Sequence, residues 1–374
     1  MIETHETEAG MDAEEVKSTQ KQPVETKDVE RTNSLLADLC RAELEMLALE
    51  MGQPAYRGEQ LFRWIGRGVT SFEQMTDIPS GFRAQLEAEK KIGLPKIIDI
   101  RNSQKDETVK YVLALHDGNL IESVLMKYHH GYSVCVSTQA GCRMGCRFCA
   151  SKPDGFARNL SAGEMFGQIC AVQVQTGKKV GHVVLMGVGE PFDNYDQCLR
   201  FIRLLHENSE TSIGYRKVTI STSGIVPGIL RLADEGLPIG LSVSLHAPND
   251  QIRNRLMPVS KKYSIDKLLE GCKIYTQTGK RRITFEYAMI HEINDQPAHA
   301  VELAKRLRGM LCHVNLIPVN SVAGTEFKPS ERAAIAEFEG ILKKRGIEVT
   351  VRRELGSDID AACGQLRSEM MKSQ

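Results

Sequence analysis

Hydrophobic spacing changes character three times along the 374 residues. Residues 1–31 carry no apolar period; they are rich in Glu, Lys and Thr and read as a disordered tail. From residue 32 to about 95 the apolar positions recur at helical spacing: Leu35, Leu36 and Leu39, then Leu44 and Leu47. A second helical stretch opens at Pro54 and sets Leu61, Trp64 and Ile65 on one side. Arg57, Arg63 and Arg67 fall on the other, as candidate phosphate contacts or an ordinary solvated face.

Residues 96–131 switch to period two. Ile97–Ile100, Val109–Leu115 and Leu120–Met126 read as strands, and His116-Asp117-Gly118-Asn119 as the hairpin turn between the last two. Tyr132–Ser137 is the next strand. Strand and helix patterns then alternate. Strands are expected at Val180–Met186, Lys217–Ser221, Gly240–Leu245, Arg282–Ile290, His313–Val319 and Glu348–Val351. Helices are expected near 161–176, 194–208, 226–235, 264–278, 296–309 and 330–345, the last with Ser330 as N-cap and Gly346 as terminator. Repeated βα units require a parallel sheet with right-handed crossovers. The predicted fold is therefore α/β: a partial (β/α)6 TIM-like barrel with a small N-terminal helical domain and a β-hairpin extension. The boundaries are a tail (1–31), a helical accessory domain (32–95), a β extension (96–131), the barrel (132–366) and a short tail (367–374). In such sheets the chemistry sits at the carboxyl ends of the strands.

Composition narrows this picture. No apolar run is long enough to span a bilayer, and the acidic N-terminus lacks the apolar core of a secretory signal. Ten cysteines, three of them clustered, fit metal chemistry in a reducing compartment better than a disulfide framework, so the expected location is the cytoplasm. Zero net charge conceals an asymmetry: the tail holds nine acidic and four basic residues (−5), leaving a mildly basic body (+5) that permits a polyanionic partner.

The chemistry concentrates just after the Tyr132–Ser137 strand. Gly141-Cys142-Arg143-Met144-Gly145-Cys146-Arg147-Phe148-Cys149 holds three thiols spaced C-x3-C-x2-C. Zinc usually takes four protein ligands, and a distant residue completing a zinc knuckle is the alternative here. Three thiolates on a four-iron cluster leave one iron open to a substrate. This spacing resembles the signature of radical S-adenosylmethionine (SAM) enzymes. Further candidates fall at predicted strand ends. Met186-Gly187-Val188-Gly189-Glu190-Pro191 resembles the element that grips the methionine amino group of SAM. Ser221, Ser244-Leu245-His246 and Asn320 offer hydroxyl, imidazole and amide groups. Cys135 precedes the cluster loop, and Cys363 lies among small residues in Asp358–Leu366. Cys40, Cys170, Cys198, Cys272 and Cys312 read as inert packing residues.

Taken together, Gly141–Ser151, Met186–Asn194, Ser221–Pro227, Ser242–Pro248, Phe285-Glu286-Tyr287, His313–Asn320 and Asp358–Leu366 resemble the RlmN/Cfr family of radical SAM RNA methyltransferases from about Glu43 to Leu366. The resemblance implies a [4Fe-4S] cluster on Cys142, Cys146 and Cys149, and two SAM molecules per turnover. SAM would be held by Gly189, Glu190, Ser221, Ser244, Leu245, His246 and Asn320. It implies that Cys363 is first methylated and then carries the one-carbon unit to an adenine. Glu122 would take the ring proton, and Cys135 would attack Cys363, leaving a transient disulfide that an external electron donor resets. The implied substrates are adenosines of 23S rRNA and tRNA, methylated at carbon 2 by a monomeric enzyme; carbon 8 is the family's other target. Arg143/Arg147/Lys152/Arg158, Lys261/Lys262, Lys280/Arg281/Arg282 and Arg352/Arg353 are candidate phosphate contacts.

Overall fold

The period-two stretch and the alternating stretch join in one sheet. The computed structural model describes residues 35–151, 155–319, 327–362 and 364–366; the acidic tail, Lys152, Asn320 and Cys363 lie outside them. Strands β1 (Lys96–Asn102), β2 (Val109–Ala114), β3 (Leu120–Tyr128) and β4 (Gly131–Cys135) form an antiparallel meander. A short separate pair, β5 (Gln139–Gly141) and β6 (Phe156–Asn159), follows. From β4 onward, β7 (Val180–Leu185), β8 (Val218–Thr222), β9 (Gly240–Ser244), β10 (Ile283–Met289), β11 (Cys312–Pro318) and β12 (Glu348–Val351) add in parallel. Among the described residues the order β1-β2-β3-β4-β7-β8-β9-β10-β11-β12 makes one ten-stranded sheet, with β1 and β12 at its edges. The expected partial barrel is therefore present, and the extension continues the barrel sheet itself through β4.

The crossovers are α4 (Ala162–Thr176), α5 (Tyr195–Glu207), α6 (Val226–Asp234), α8 (Ile265–Gly279), α9 (Pro297–Leu307) and α10 (Arg332–Lys344). A one-sided apolar stripe drives each onto the sheet: on α5, Cys198, Phe201, Ile202 and Leu205 are all buried. Phe338 of α10 meets Tyr287 of β10 with ring centroids 5.1 Å apart, and Phe338→Ala would cost about 3–5 kcal/mol. Helix α10 starts one residue later than expected. Its N-cap is Glu331, while the Ser330 hydroxyl donates to Asp295 Oδ2 at 2.9 Å instead of capping. Gly346 does close the helix, at φ 78°. Two elements were not anticipated, the β5–β6 pair and α7 (Asp250–Leu256).

The turn between β2 and β3 also differs from a two-residue hairpin. Leu115 pairs with Asn119, and only Gly118 takes a positive φ, 84°, which is a three-residue loop.

The helical region before the sheet comprises α1 (Arg41–Glu50), α2 (Tyr56–Gly66) and α3 (Ser80–Glu89). It shares the apolar core of the barrel helices and is bonded to them. Asp38 accepts from Gly163 N at 2.7 Å, and Asn208 Nδ2 donates to the Phe62 carbonyl at 2.7 Å. Its arginines are largely taken up internally. Arg57 and Arg63 engage Asp77, and Arg67 pairs with Glu210 at 3.0 Å. Among the described residues no helix is long and apolar enough to cross a membrane.

Candidate active site

Strand β4 delivers the chain to the carboxyl end of the sheet, where the cysteine loop begins. The β5–β6 pair closes the base of that loop. Gly141 sits at φ 76°, and a Cβ there would lie 2.1 Å from the Gly155 carbonyl oxygen, so only glycine fits. Cys142 N donates to that same carbonyl at 2.6 Å. Cys142, Cys146 and Cys149 all line one cavity. Burial and then the neighbouring Cys149 push the Cys142 thiol up to about 11, and burial beside both other thiols raises Cys146 further. Bound metal reverses this logic, because its charge holds thiols as thiolates. Among the described residues no three His, Cys, Asp or Glu side chains converge as they would on a single metal ion. The donor set suits a multi-iron cluster that takes one thiolate per iron.

The opposite wall comes from strand ends. Glu190, 2% exposed, accepts from Phe192 N at 3.0 Å and Ser223 N at 2.6 Å. Burial raises its carboxyl. The glycines before it serve packing: a Cβ on Gly187 would lie 2.7 Å from Ser137 N, and one on Gly189 would lie 2.6 Å from Thr138 Oγ1. Gly189 thus lies close against Thr138 and Gln139, and Glu190 N donates to Gln139 Oε1 at 3.0 Å, which holds Glu190 against the start of the cysteine loop. Ser221 and Ser244 line the cavity. Leu245 does not; its side chain lies in the core, its N–H donates to the Glu286 carbonyl and its carbonyl accepts from Arg253 Nε. His246, at φ 54°, is buried and stacks edge-on against Phe148 with centroids 4.9 Å apart. Its Nδ1 accepts from Ala288 N at 2.9 Å, and burial lowers the imidazole to about 3. A neutral ring whose Nδ1 accepts carries its proton on Nε2, so His246 offers a donor.

Arg253, Ser223 and Glu286 complete this wall. Arg253 of α7 is fully buried; its Nη2 donates to the Ser223 carbonyl at 2.6 Å and the Ser244 carbonyl at 3.1 Å. It ties the ends of β8 and β9 together. Its Nη1 has no partner within the protein though it is buried. Orphaned polar atoms of this kind are costly and fit a polar ligand in the cavity. Glu286 lines the cavity from mid-strand, accepting from Asn315 Nδ2 at 2.8 Å. The signal for Glu286 was a lone carboxylate between Phe285 and Tyr287 in an apolar strand; α7 is too short for its period to be read.

The antiparallel strands present a second set. Residues paired across neighbouring strands share a face. Lys110 pairs with Val124, and Val124 with Cys135, so these three form one row; Glu122 stands on the same face one pleat along β3. Glu122 is 3% exposed, and Lys110 Nζ lies 3.3 Å from its Oε1. The segment 356–362 packs over this face. Asp358 accepts from Ser103 Oγ and Gln104 N, both at 2.8 Å, and Gly356 N donates to Asp106 Oδ2 at 3.0 Å. Ala362 and Cys135 line one small pocket, while Gly364 and Leu366 reach the cavity of the three thiols. Cys363, between them in sequence, and Asn320 are not among the described residues.

The five cysteines read as inert are consistent with that reading. Cys170, Cys198, Cys272 and Cys312 are buried, and burial raises each thiol. Cys40 is half-buried at the start of α1. Of the basic clusters, Arg158 is locked onto Glu164 at 2.7 Å by two bonds, and Arg143 pairs with Asp193 at 2.9 Å. Arg282 pairs with Glu348, whereas Lys261 and Lys262 stand exposed, four and five residues after the cavity-lining Met257 in sequence.

A parallel half-barrel with three cysteines on one loop and a polar rim at the strand ends defines a radical SAM enzyme. In agreement, residues 136–304 match the Radical SAM superfamily, and residues 34–92 match the ribosomal RNA large subunit methyltransferase N-terminal domain. A probable dual-specificity RNA methyltransferase RlmN from Alkaliphilus oremlandii is 49% identical over 90% of this chain and 98% of its own. Its counterpart from Clostridium tetani is 47% identical, over 90% and 97%. A radical SAM methyltransferase from Sphaerobacter thermophilus superposes with a TM-score of 0.86 at 44% identity, covering 89% of this chain and 98% of that one. The chain belongs to the RlmN family. It is a SAM-dependent methyltransferase that uses a [4Fe-4S] cluster and SAM.

Proposed function

We propose that this enzyme methylates carbon 2 of adenosine in RNA, taking both 23S rRNA and tRNA, with Cys363 as carrier of the one-carbon unit. The relatives named as dual-specificity RNA methyltransferases support the substrate class. The single observation that carries the mechanism is that one cavity is lined by the three thiols and by Gly364 and Leu366, which follow Cys363 in sequence and are tied to the end of the cysteine loop, Ala150 N donating to the Gly364 carbonyl at 2.7 Å and Ser151 Oγ to the Leu366 carbonyl at 2.6 Å. A carbon flanked by two ring nitrogens is electron-poor and resists attack on a methyl cation equivalent, so a polar transfer is unfavourable and a carrier with radical chemistry is required.

In this reading Cys142, Cys146 and Cys149 hold the cluster. Glu190, Ser221, Ser244, His246 and Asn320 hold SAM, with Gly189 keeping Glu190 in place. Bound together, cluster and SAM supply an electron and a 5'-deoxyadenosyl radical. The chain's own residues do the rest. The Cys363 thiolate forms a bond to the methyl carbon of a first SAM as that carbon leaves the sulfonium. After the carbon has been joined to the adenine, the Glu122 carboxylate accepts the proton of carbon 2. The Cys135 thiolate then attacks Cys363 sulfur; the carbon–sulfur bond breaks, its electron pair stays on the carbon, which takes up a proton to become the methyl group, and a disulfide remains. An external dithiol or reductase returns it to two thiols. Glu122 and Cys135 share the face under segment 356–362, which suits both roles. The RNA must present its adenosine unstacked, and the exposed Lys261 and Lys262 are its phosphate contacts in this reading.

Cys363→Ala tests the reading. It should form no methylated adenosine while retaining its iron, and Cys135→Ala should accumulate a covalent protein–RNA adduct. Turnover by Cys363→Ala, measured by nucleoside mass spectrometry, contradicts the carrier role.

A further inference from the structure

Lys110 has no part in the mechanism above, yet it is among the largest fully buried side chains of the molecule. A buried ammonium must be paired, and its Nζ lies 3.3 Å from Glu122 Oε1 and 3.3 Å from the Asp360 carbonyl oxygen. Stability does not explain such a pair, since a well-packed apolar pair in its place is commonly as stable or more so. What sets this pair apart is the second contact, to Asp360. Asp360 belongs to the segment that leads into Cys363, three residues later, and it takes a left-handed φ of 51°. One ammonium thus bridges the strand that carries the proposed base and the segment that carries the proposed methyl carrier.

We propose that Lys110 is a positioning residue: it holds Glu122 as an ionised base and keeps that base in register with the carrier segment. This rests on the assignment of Glu122 as the proton acceptor. In the step concerned, the C2–H bond breaks, the proton goes to the Glu122 carboxylate, the bonding pair stays with the ring, and the odd electron left by the radical addition would return to the bound cluster; Lys110 takes no part in the bond changes. Without it, a carboxyl buried among Val124 and Cys135 favours its neutral form, which cannot accept a proton.

The test uses reconstituted full-length enzyme, one turnover, and an RNA substrate deuterated at carbon 2 of its adenosine. Lys110→Met should slow formation of methylated RNA about a hundredfold. It should also raise a deuterium isotope effect from near unity to a full primary effect, because proton removal becomes limiting. S-methylation of Cys363 and release of 5'-deoxyadenosine should persist, and Lys110→Arg should restore most of the rate. Lys110→Gln serves as the second variant if Lys110→Met does not fold. An unchanged rate and isotope effect, or a loss in which S-methylation falls in step with product, overturns the proposal. Glu122→Gln separates the two layers. Normal turnover there removes the base assignment and this inference with it. Failure of proton loss in Glu122→Gln, with Lys110→Met unaffected, removes this inference alone.

Discussion

Along the parallel strands β7 to β10, most cavity-facing polar groups leave the sheet at strand ends, where loops carry them and backbone groups hold them. In the antiparallel strands β2 to β4 the corresponding groups, Lys110, Glu122 and Cys135, belong to the strands themselves, and their spacing is set by the register of the sheet. The first region contains a buried polar atom with no protein partner, Arg253 Nη1. The second contains an ion pair already closed within the protein, Lys110 with Glu122. The difference follows from what each region meets. Strand ends of a parallel half-barrel receive a cofactor whose polar groups complete their hydrogen bonds. The meander receives a segment of the same chain and a base that must be ionised before the substrate arrives.

Three substitutions sharpen this contrast, in decreasing order of effect. Arg253→Met removes the clamp on the Ser223, Ser244 and Leu245 carbonyls. Each buried carbonyl so orphaned costs about 1–3 kcal/mol, so thermal melting should fall by several kcal/mol in stability, and calorimetry should register weakened SAM binding. Melting unchanged would mean that the ends of β8 and β9 hold without it. The double substitution Lys110→Met with Glu122→Leu should be inactive yet stay within about 1 kcal/mol of the parent in stability, or exceed it. A large loss of stability would instead make the pair a structural element. Asp358→Asn acts only locally. Its bonds from Gln104 N and Ser103 hold the Asp358 carboxyl below its ordinary range. A depressed group stabilises above the unfolded value, and its contribution fades as pH falls through the folded one. Hydrogen exchange in 356–362 should therefore quicken a few-fold at neutral pH in Asp358→Asn. In the parent it should quicken only in acid. Equal exchange at neutral pH would mean that Asp358 does not tether the segment.

The same contrast explains what could be read from the chain alone. The parallel strands declared themselves through apolar runs and glycine-punctuated ends, and the rim motifs Met186–Pro191 and Ser244–His246 are continuous in sequence, so they were visible. Leu245 shows what such a motif leaves open, because it does not say which of its members faces inward: its side chain lies in the core. The extension was legible as strands but not as a site. Lys110 sits between Val109 and Tyr111, where alternation assigns a lysine to solvent. Its burial follows from a segment 250 residues away that covers the second face of the sheet. The arginines of α2 show the converse. A basic face suggests phosphates, but Asp77 and Glu210 occupy it through contacts that helical spacing does not reveal.

The most direct test combines the anoxic, iron-loaded enzyme with SAM, dithionite and a fragment of 23S rRNA, followed by analysis of released nucleosides. The account predicts 2-methyladenosine together with 5'-deoxyadenosine. Methylation at carbon 8, or methylated adenosine formed without any 5'-deoxyadenosine, would contradict it.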